Sequence, residues 1–366
     1  MSLINNRRKK VIIIGGGYAG TMLAKAIDQM VDVVLIEPRE AFFHNVAAIR
    51  AMVDPSLLDQ IILPYSKLLK QGRLVRDRVQ SVKASRVHLI SGAVIEGDII
   101  VIATGSQYAQ PFKPTTDDAS GIGTATHAAH DALVAAKRIA IVGAGPVGIE
   151  LAGEIATGIK GKSITLVSNI STLFPTFPIG LSQRVEAELK SLGVTVRKGV
   201  NAQGLTELRQ PTAGPLTLDT GEKFDVDLII PAMGAKPANE LLRPIALLDD
   251  RGRVLVDSWL RPNGQANLFA LGDVAATGDL MTIVGISRQV PWLVKTIKGL
   301  ASGKSLEDLP PYTPWVMPPI LIPLGSRRGA SVLPVTKNGA VVGPFLTSAI
   351  KGKALFIPKY RKALGL

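Results

Sequence analysis

Cysteine is absent from all 366 residues. That one absence excludes disulfides, thiolate metal sites, iron–sulfur ligation and CxxC redox couples, so any electron transfer must run through a bound organic cofactor. Histidine is scarce as well: His44, His88, His127 and His130 form no HExxH pattern, and no metal site is expected. Acid is missing from both ends. Residues 1–10 carry Arg7, Arg8, Lys9 and Lys10, and Leu309 to Leu366 carry Arg327, Arg328, Lys337, Lys351, Lys353, Lys359, Arg361 and Lys362, with no carboxylate in either segment. These ends hold almost all of the net charge of +13, and residues 11–308 are close to neutral. Basic ends favour an anionic surface, membrane or polynucleotide, with salt-sensitive attraction; charge that merely aids solubility is the plainer reading. The sequence also lacks a spanning segment. Its longest charge-free apolar stretch, Leu309 to Ser326, contains six prolines, which oppose a transmembrane helix but allow an interfacial one. Arg7 to Lys10 followed by Val11 to Ile14 imitates a signal peptide, yet the apolar run stops at three glycines and reads better as a strand. Met1-Ser2 lacks the glycine that myristoylation requires.

What the chain does contain is one phosphate-binding fingerprint twice, 128 residues apart: Gly15-Gly16-Gly17-Tyr18-Ala19-Gly20 after Val11 to Ile14, and Gly143-Ala144-Gly145-Pro146-Val147-Gly148 after Ile139 to Val142. In such a turn the first glycine makes the strand-to-helix bend and the second admits a pyrophosphate to the backbone. The third lets helix and strand pack closely, and the helix N-terminus supplies N–H donors and a positive dipole. A lone GxGxxG is weak. Two, each between a β-branched run and a helix-compatible stretch (Thr21 to Met30, Ile149 to Thr157), predict two dinucleotide sites. Val31 to Ile36 reads as the second parallel strand and ends in Glu37, placed to accept both hydroxyls of an adenosine ribose; an ordinary strand-end acid is the alternative. After the second fingerprint, Ile164 to Val167 leads to Ser168 and Asn169, neither a ribose-binding acid nor a phosphate-binding arginine, so NADH and NADPH are not separated.

The fold class expected is α/β, two Rossmann-like domains of glutathione-reductase type plus a small C-terminal region. Short strands are expected at Arg73 to Val79, Arg86 to Ile90 and Asp98 to Ile102, the last entering Ala103-Thr104-Gly105 at a carboxyl sheet edge. The second unit occupies about 137–168 and continues through Gly193 to Gly199 and Asp225 to Pro231. Asn267 to Asp273 gives a strand, Gly272 and Asp273, with a helix from about Met281. Residues 1–110 and 250–305 would form one discontinuous domain, 111–249 a second and 306–366 the remainder. The last stretch, Ala349 to Leu366, interleaves Leu355, Phe356, Ile357, Tyr360 and Leu364 with five basic residues, as either an interfacial anchor or a docked terminal segment does.

In this order of motifs the chain resembles flavoproteins with two dinucleotide-binding domains. Phe42-Phe43-His44-Asn45-Val46-Ala47-Ala48-Ile49-Arg50 and Lys351-Gly352-Lys353-Ala354-Leu355-Phe356 resemble the apoptosis-inducing-factor-like proteins known as mitochondrion-associated inducer of death, or ferroptosis suppressor proteins. Type II NADH dehydrogenases come next. The resemblance implies an FAD enzyme that takes hydride from NAD(P)H at flavin N5 and passes electrons to a quinone-type acceptor by a ping-pong course. It implies that Gly15, Gly17, Tyr18, Ala19 and Gly20 hold the FAD pyrophosphate, Glu37 its ribose and Arg39 the adenine edge. Val79, Ala103, Thr104, Gly105 and Gly272 would line the same site, and Asp273 would meet the ribityl chain or cap the next helix. Met281 and Thr282 would place a helix N-terminus at the flavin ring. Gly143, Gly145, Gly148 and Glu150 would serve NAD(P)H, Glu150 near the nicotinamide, with Glu154 structural. His44 would lie beside the flavin, exchanging protons near neutral pH or orienting the ring; the bland alternative is a satisfied histidine among aromatics. Trp315, Phe345 and Phe356 are candidate walls for the acceptor.

The expected setting is cytoplasmic, peripheral at a membrane through the basic tail, which as a single weak signal gives reversible binding. The rival reading, a flavin-containing pro-death signalling protein that binds nucleic acid through its basic ends, rests on charge alone, with no RNP, zinc or helix-turn-helix pattern, and stays open.

Overall fold

The computed structural model describes residues 7–205 and 209–366, so Met1-Ser2 lies outside the described residues. The chain opens with β1 (Lys10–Ile14), α1 (Tyr18–Ile27) and β2 (Asp32–Ile36), continues through α2 (Asn45–Val53), β3 (Arg73–Val75) and β4 (Ile99–Ile102), and enters α3 (Ala119–Ala135). A second unit follows: β5 (Arg138–Val142), α4 (Pro146–Gly158), β6 (Ser163–Val167), α5 (Ile179–Ser191), β7 (Thr195–Arg197) and β8 (Leu228–Pro231). The chain returns to the first unit with β9 (Leu268–Ala270) and α6 (Ile283–Ala301), then adds β10 (Ile320–Leu324), β11 (Arg328–Leu333), β12 (Ala340–Val342) and the terminal α7 (Ile357–Ala363).

Two parallel sheets result, in the orders β9-β4-β1-β2-β3 and β7-β6-β5-β8. Their interior strands read KVIII and RIAIV and are buried on both faces, which explains the unbroken apolar runs that mark them in the sequence. Because all strands of a sheet run the same way, both glycine turns emerge at carboxyl edges, where ligands bind in open α/β folds. Leu23, Ala24 and Ile27 of α1 pack with Val11, Ile13 and Leu35, and α6 adds Val290, Leu293 and Ile297 to the same core. The α/β class with two Rossmann-like sheets is therefore the observed one. Two local expectations shift. The first helix starts at Tyr18, since the glycine turn itself forms its N-cap, and ends at Ile27. The strand expected over Arg73 to Val79 breaks at Asp77, whose N–H turns back to the Val75 carbonyl; Val79–Lys83 then joins a separate antiparallel sheet with Arg86–Leu89 and Val94–Glu96.

From Leu309 onward the chain adds to the existing cores. The antiparallel β10-β11-β12 sheet buries Ile322, Leu324, Ala330 and Val332 in one cluster with Ile149, Ala152 and Ile155 of α4. Helix and strand approach so closely that a Cβ on Gly153 would lie 2.5 Å from the Leu324 Cα. The chain then crosses to the first unit, where Tyr360 and Leu364 enter the α1 core and Leu355 and Ile357 pack with α2. Among the described residues no helix is long and apolar enough to cross a membrane.

Candidate functional site

A cavity of about 790 Å³ opens at the carboxyl edge of the first sheet. Its wall is formed by Gly15, Gly17, Tyr18, Ala19, Glu37, Arg39, Val79, Ala103, Thr104, Gly105, Gly272 and Asp273. Gly15 bends the chain at φ +106°, and a Cβ there would stand 2.5 Å from the Ala103 carbonyl oxygen, so glycine is required on both counts. Gly20 packs beneath the turn against Gly15, while Gly17 faces open space. Thr282 caps α6 rather than lining the wall, and Ile286 in that helix's first turn reaches the cavity in place of Met281.

Glu37 stands where the strand-end acid was expected and is already well supplied with donors. The Gly16 N–H donates to Oε2 at 2.5 Å, Arg39 Nε to Oε1 at 2.7 Å and Arg39 Nη2 to Oε2 at 3.0 Å. Burial pushes the carboxyl pKa up, but the Arg39 guanidinium and the backbone N–H groups outweigh it, and the group is held below its ordinary value. Arg39 therefore folds onto Glu37. Elsewhere in the wall, Ser106 Oγ donates to Asp273 Oδ2 at 2.6 Å, and Lys113 Nζ stands 3.4 Å from the same oxygen. Behind Asp273, the Gly272 N–H donates to Gln289 Oε1 at 2.7 Å, and Gln289 Nε2 donates to Asp279 at 3.0 Å, which fixes the Gly-Asp turn against α6. Asn45, at the start of α2, also lines the cavity, and its amide oxygen is buried with no hydrogen-bond partner. A glycine turn facing open space, a helix N-terminus, a dedicated acid and an orphaned amide fit a dinucleotide carrying a polar ring.

His44 is fully buried, 0% exposed, one side chain behind the cavity wall. The Val46 N–H donates to Tyr18 Oη at 3.0 Å, and in the neutral imidazole, whose Nε2 must donate to a carbonyl, the tyrosine hydroxyl donates to His44 Nδ1 at 2.8 Å. The other ring nitrogen, Nε2–H, donates to the Leu355 carbonyl at 2.7 Å. This fixes the Nε2–H tautomer of a neutral imidazole. Burial pushes the His44 pKa down to about 4; the Leu355 carbonyl opposes the shift and the Lys351 ammonium adds to it. Protonation near neutral pH is therefore disfavoured, and the two ring hydrogen bonds tie Tyr18 to the tail at Leu355.

The second fingerprint repeats the first in geometry: Gly143 has φ +112°, and its Cβ would meet the Ala232 carbonyl oxygen at 2.2 Å. Its setting differs. Gly145 and Pro146 are exposed at the turn, whereas the first fingerprint is enclosed. Glu150, in the first turns of α4, is buried and accepts from Lys351 Nζ at 2.6 Å, while the same ammonium donates to the Leu321 carbonyl at 3.2 Å. Burial raises the Glu150 pKa to about 6, with Lys351 opposing and Glu154 reinforcing. Glu154 forms a two-pronged pair with Arg50, Nε at 2.9 Å and Nη2 at 2.8 Å, and Arg50 also donates to the Gly352 carbonyl at 2.6 Å. His44 and Glu150 are thus linked through Lys351 and the turn after it. Asn45 and Lys113, which line the cavity, and Lys351 and Gln289, which bond to Glu150 and the Gly272 turn, belong to neither fingerprint; of these, Asn45 and Lys351 stand inside the two resemblance stretches.

A family model described as pyridine nucleotide-disulphide oxidoreductase matches residues 9–292. Apoptosis-inducing factor homolog B of Dictyostelium discoideum is 30% identical over 380 aligned residues, covering 98% of this chain and 97% of that one. Ferroptosis suppressor protein 1 of Xenopus tropicalis is 28% identical, covering 97% and 96%. Among solved structures, NDH2 from Plasmodium falciparum in complex with NADH superposes with a TM-score of 0.72 at 15% identity, covering 97% of each chain. The water-forming NADH oxidase from Lactobacillus brevis gives 0.65 at 19% identity, covering 93% and 76%. At such identities the two structures show the fold alone, while the sequence relatives bear out the resemblance to the apoptosis-inducing-factor and ferroptosis-suppressor group. The chain belongs to the pyridine nucleotide-disulphide oxidoreductase family and is an FAD-dependent enzyme that oxidises NAD(P)H.

Proposed function

We propose that the electrons leave this enzyme at the flavin itself, to a quinone-type acceptor, beside a membrane surface. The observation that carries this is the missing cysteine: a member of a disulphide oxidoreductase family with no thiol has no second redox couple to reduce. Bound in the 790 Å³ cavity, FAD supplies hydride acceptance from NAD(P)H and electron release to the acceptor. The chain's own residues do the rest. The turn at Gly15 to Gly20 and the N-terminus of α1 hold the pyrophosphate, and Glu37 with Arg39 holds the adenosine end. Tyr18, kept in place by His44, positions the ring. The turn at Gly143 to Gly148 receives NAD(P)H at an open surface, from which it can leave after each turnover. Glu150, with a pKa near 6 and Lys351 against it, is the carboxyl suited to holding or giving up a proton at neutral pH.

An apolar acceptor is supported by the tail region, where Val316 is 92% and Phe345 83% exposed and Leu346 and Ile350 are also open. Lys353, Lys359 and Lys362 are exposed in the same region. The combination of apolar and basic groups suits an anionic membrane surface. Nucleic acid is less well supported, because Arg7, Arg328 and Lys351 are engaged with Asp98, Glu188 and Glu150. The test is anaerobic reduction of the yellow protein by NADH and by NADPH, followed by a soluble quinone. Bleaching by nucleotide and recovery of the oxidised spectrum on quinone addition are expected. A reduced flavin that persists with quinone and reoxidises only in air would overturn the acceptor assignment.

A further inference from the structure

Asp279 belongs to neither fingerprint and does not touch the cavity. Its carboxylate is buried, 5% exposed, and its hydrogen-bond donors among the described residues are all neutral. Oδ2 accepts from the Tyr312 hydroxyl, from Gln289 Nε2 at 3.0 Å and, more weakly, from Thr277 Oγ1 at 3.5 Å, and Oδ1 accepts from the Trp315 N–H at 2.9 Å. Burial and the neighbouring carboxylate push the Tyr312 hydroxyl pKa up, so the proton stays on the tyrosine and Asp279 accepts it. The guanidinium groups nearby are engaged elsewhere. Arg253 Nη1 donates to the main-chain carbonyl of Asp279 at 3.3 Å while its Nε pairs with Asp249 at 2.8 Å. Arg288 Nε donates to the Thr313 carbonyl at 2.6 Å, and its guanidinium lies 4.8 Å from the centre of the Trp315 ring.

Burying a carboxylate on neutral donors alone is costly. Its effect here is directional, because a carboxylate only accepts, whereas an amide or a hydroxyl can turn either way. With Asp279 accepting, the Thr277 hydroxyl gives its proton to the carboxylate and accepts from Gln289 Nε2 at 2.9 Å. The NH2 group of Gln289 is thereby committed to Asp279 and Thr277, which leaves its Oε1 facing the Gly272 N–H at 2.7 Å. Reversed, the amide would set an NH2 group against that N–H. Gln289 is itself buried, 2% exposed, so no water can replace it. Gly272, at φ +77°, stands in the cavity wall beside Asp273, so Asp279 reaches the cavity through two hydrogen bonds. We propose that Asp279 is a positioning residue of the flavin site: by fixing the Gln289 amide it holds the turn at Gly272 and Asp273 in the form that receives FAD. The inference rests on the cavity being the FAD site.

The experiment compares wild type, D279N, Q289L and the double variant as full-length protein, at a temperature where all four share one far-UV CD spectrum. The deflavinated chains are titrated with FAD by quenching of flavin fluorescence, and the visible CD of the bound flavin is recorded. Asparagine matches aspartate in shape but supplies an acceptor at one position where Asp279 supplies two, so the order of donors around it cannot be kept. A buried N–H left without its acceptor corresponds to about tenfold in an equilibrium constant. D279N and Q289L are each expected to weaken FAD by that factor and to change the flavin CD alike. The double variant is expected within about twofold of Q289L, because both changes act on one contact. FAD affinity of D279N within about twofold of wild type, or losses that multiply in the double variant, overturns the assignment; so does a lower melting temperature with unchanged FAD affinity, the mark of a packing role alone. Should D279N fail to fold, wild type labelled with 15N-glutamine decides the matter, with the Gln289 side chain identified through Q289L: a shift of its amide resonances on adding FAD supports the assignment, and no shift refutes it. If wild type binds no FAD, the cavity reading has failed rather than the role of Asp279.

Discussion

Replacing His44 by glutamine tests whether the imidazole is held neutral. In the folded protein its pKa is about 4, against about 6.5 in an unfolded chain. A depressed base contributes stability that is fully present above the unfolded value and is lost as pH falls through the window from about 6.5 to about 4, because only the unfolded chain binds the proton there. Across the whole window that amounts to roughly 3 kcal/mol, and between pH 7.5 and 5.0 to about 2 kcal/mol. Glu150 works the other way. Its raised pKa makes its ionisation destabilising, so lowering the pH from 7.5 to 5.0 returns roughly 1 kcal/mol. The comparison is therefore between proteins that both retain Glu150. Urea unfolding of wild type and H44Q at the two pH values, with FAD saturating throughout, should show wild type losing about 2 kcal/mol more than the variant on acidification. Equal losses would refute both the neutral tautomer and the Tyr18–His44–Leu355 chain built on it. The same reasoning leaves turnover without a limb near pH 6.5 that disappears in H44Q.

Four further outcomes follow from the geometry. Gly143→Ala, forced to keep φ +112° with a Cβ 2.2 Å from a carbonyl oxygen, should retain FAD in the absorbance spectrum and lose at least tenfold in the rate of reduction by NADH; the matching change at Gly15 should lose FAD. Arg50→Ala strands the buried Glu154 carboxylate and frees the Gly352 carbonyl, costing about 3 kcal/mol in denaturant titration. Lys351→Met removes the cation that restrains the Glu150 pKa, so in stopped-flow reduction by NADH a pH limb near 6 should move upward, and an unchanged limb would detach Glu150 from that step. Neutralising Lys353, Lys359 and Lys362 together should weaken binding to phosphatidylserine vesicles on the order of a hundredfold at low salt, read by co-sedimentation, while leaving reduction by NADH intact.

The parts legible in the sequence are those specified within a few residues. Val11 to Gly20 and Ile139 to Gly148 each contain a strand, its turn and the start of a helix, and the steric demands at Gly15 and Gly143 are local, so pattern alone locates them. Glu37 follows for the same reason, one position past a strand whose ladder is plain. Long-range pairings leave no such trace. Lys351 reads as one basic residue in a basic tail, although its partner Glu150 lies 201 positions away. His44 finds its acceptor at Leu355, 311 positions on, in a segment whose alternation of apolar and basic residues fits a membrane anchor as well as a docked helix. Lys113 belongs to no periodic element at all. The strand expected through Val79 stops at Val75 because its partner β2 ends at Ile36, the residue opposite Val75, and the Asp77 N–H then turns back to the Val75 carbonyl, a property of the neighbours rather than of the run itself.

The tail therefore carries two kinds of charge with opposite consequences. Lys351 is spent inside the molecule, lowering the pKa of Glu150 and of His44, while the Leu355 carbonyl four residues later accepts from His44. A cation buried against Glu150 cannot attract a membrane, and an exposed lysine screened by water has little effect on a buried carboxyl. The net charge of +13 is thus a poor guide to what the protein meets, since part of its excess over the near-neutral body neutralises Glu150 and Glu188 across the contact with α4 and α5. The two fingerprints differ in their surroundings. The first turn is enclosed, by the segment that bears Lys113 and by the region where Tyr360 packs against Tyr18, and it suits a resident dinucleotide. The second turn is left open at Gly145 and Pro146, and it suits a dinucleotide that must depart before an acceptor can be reduced.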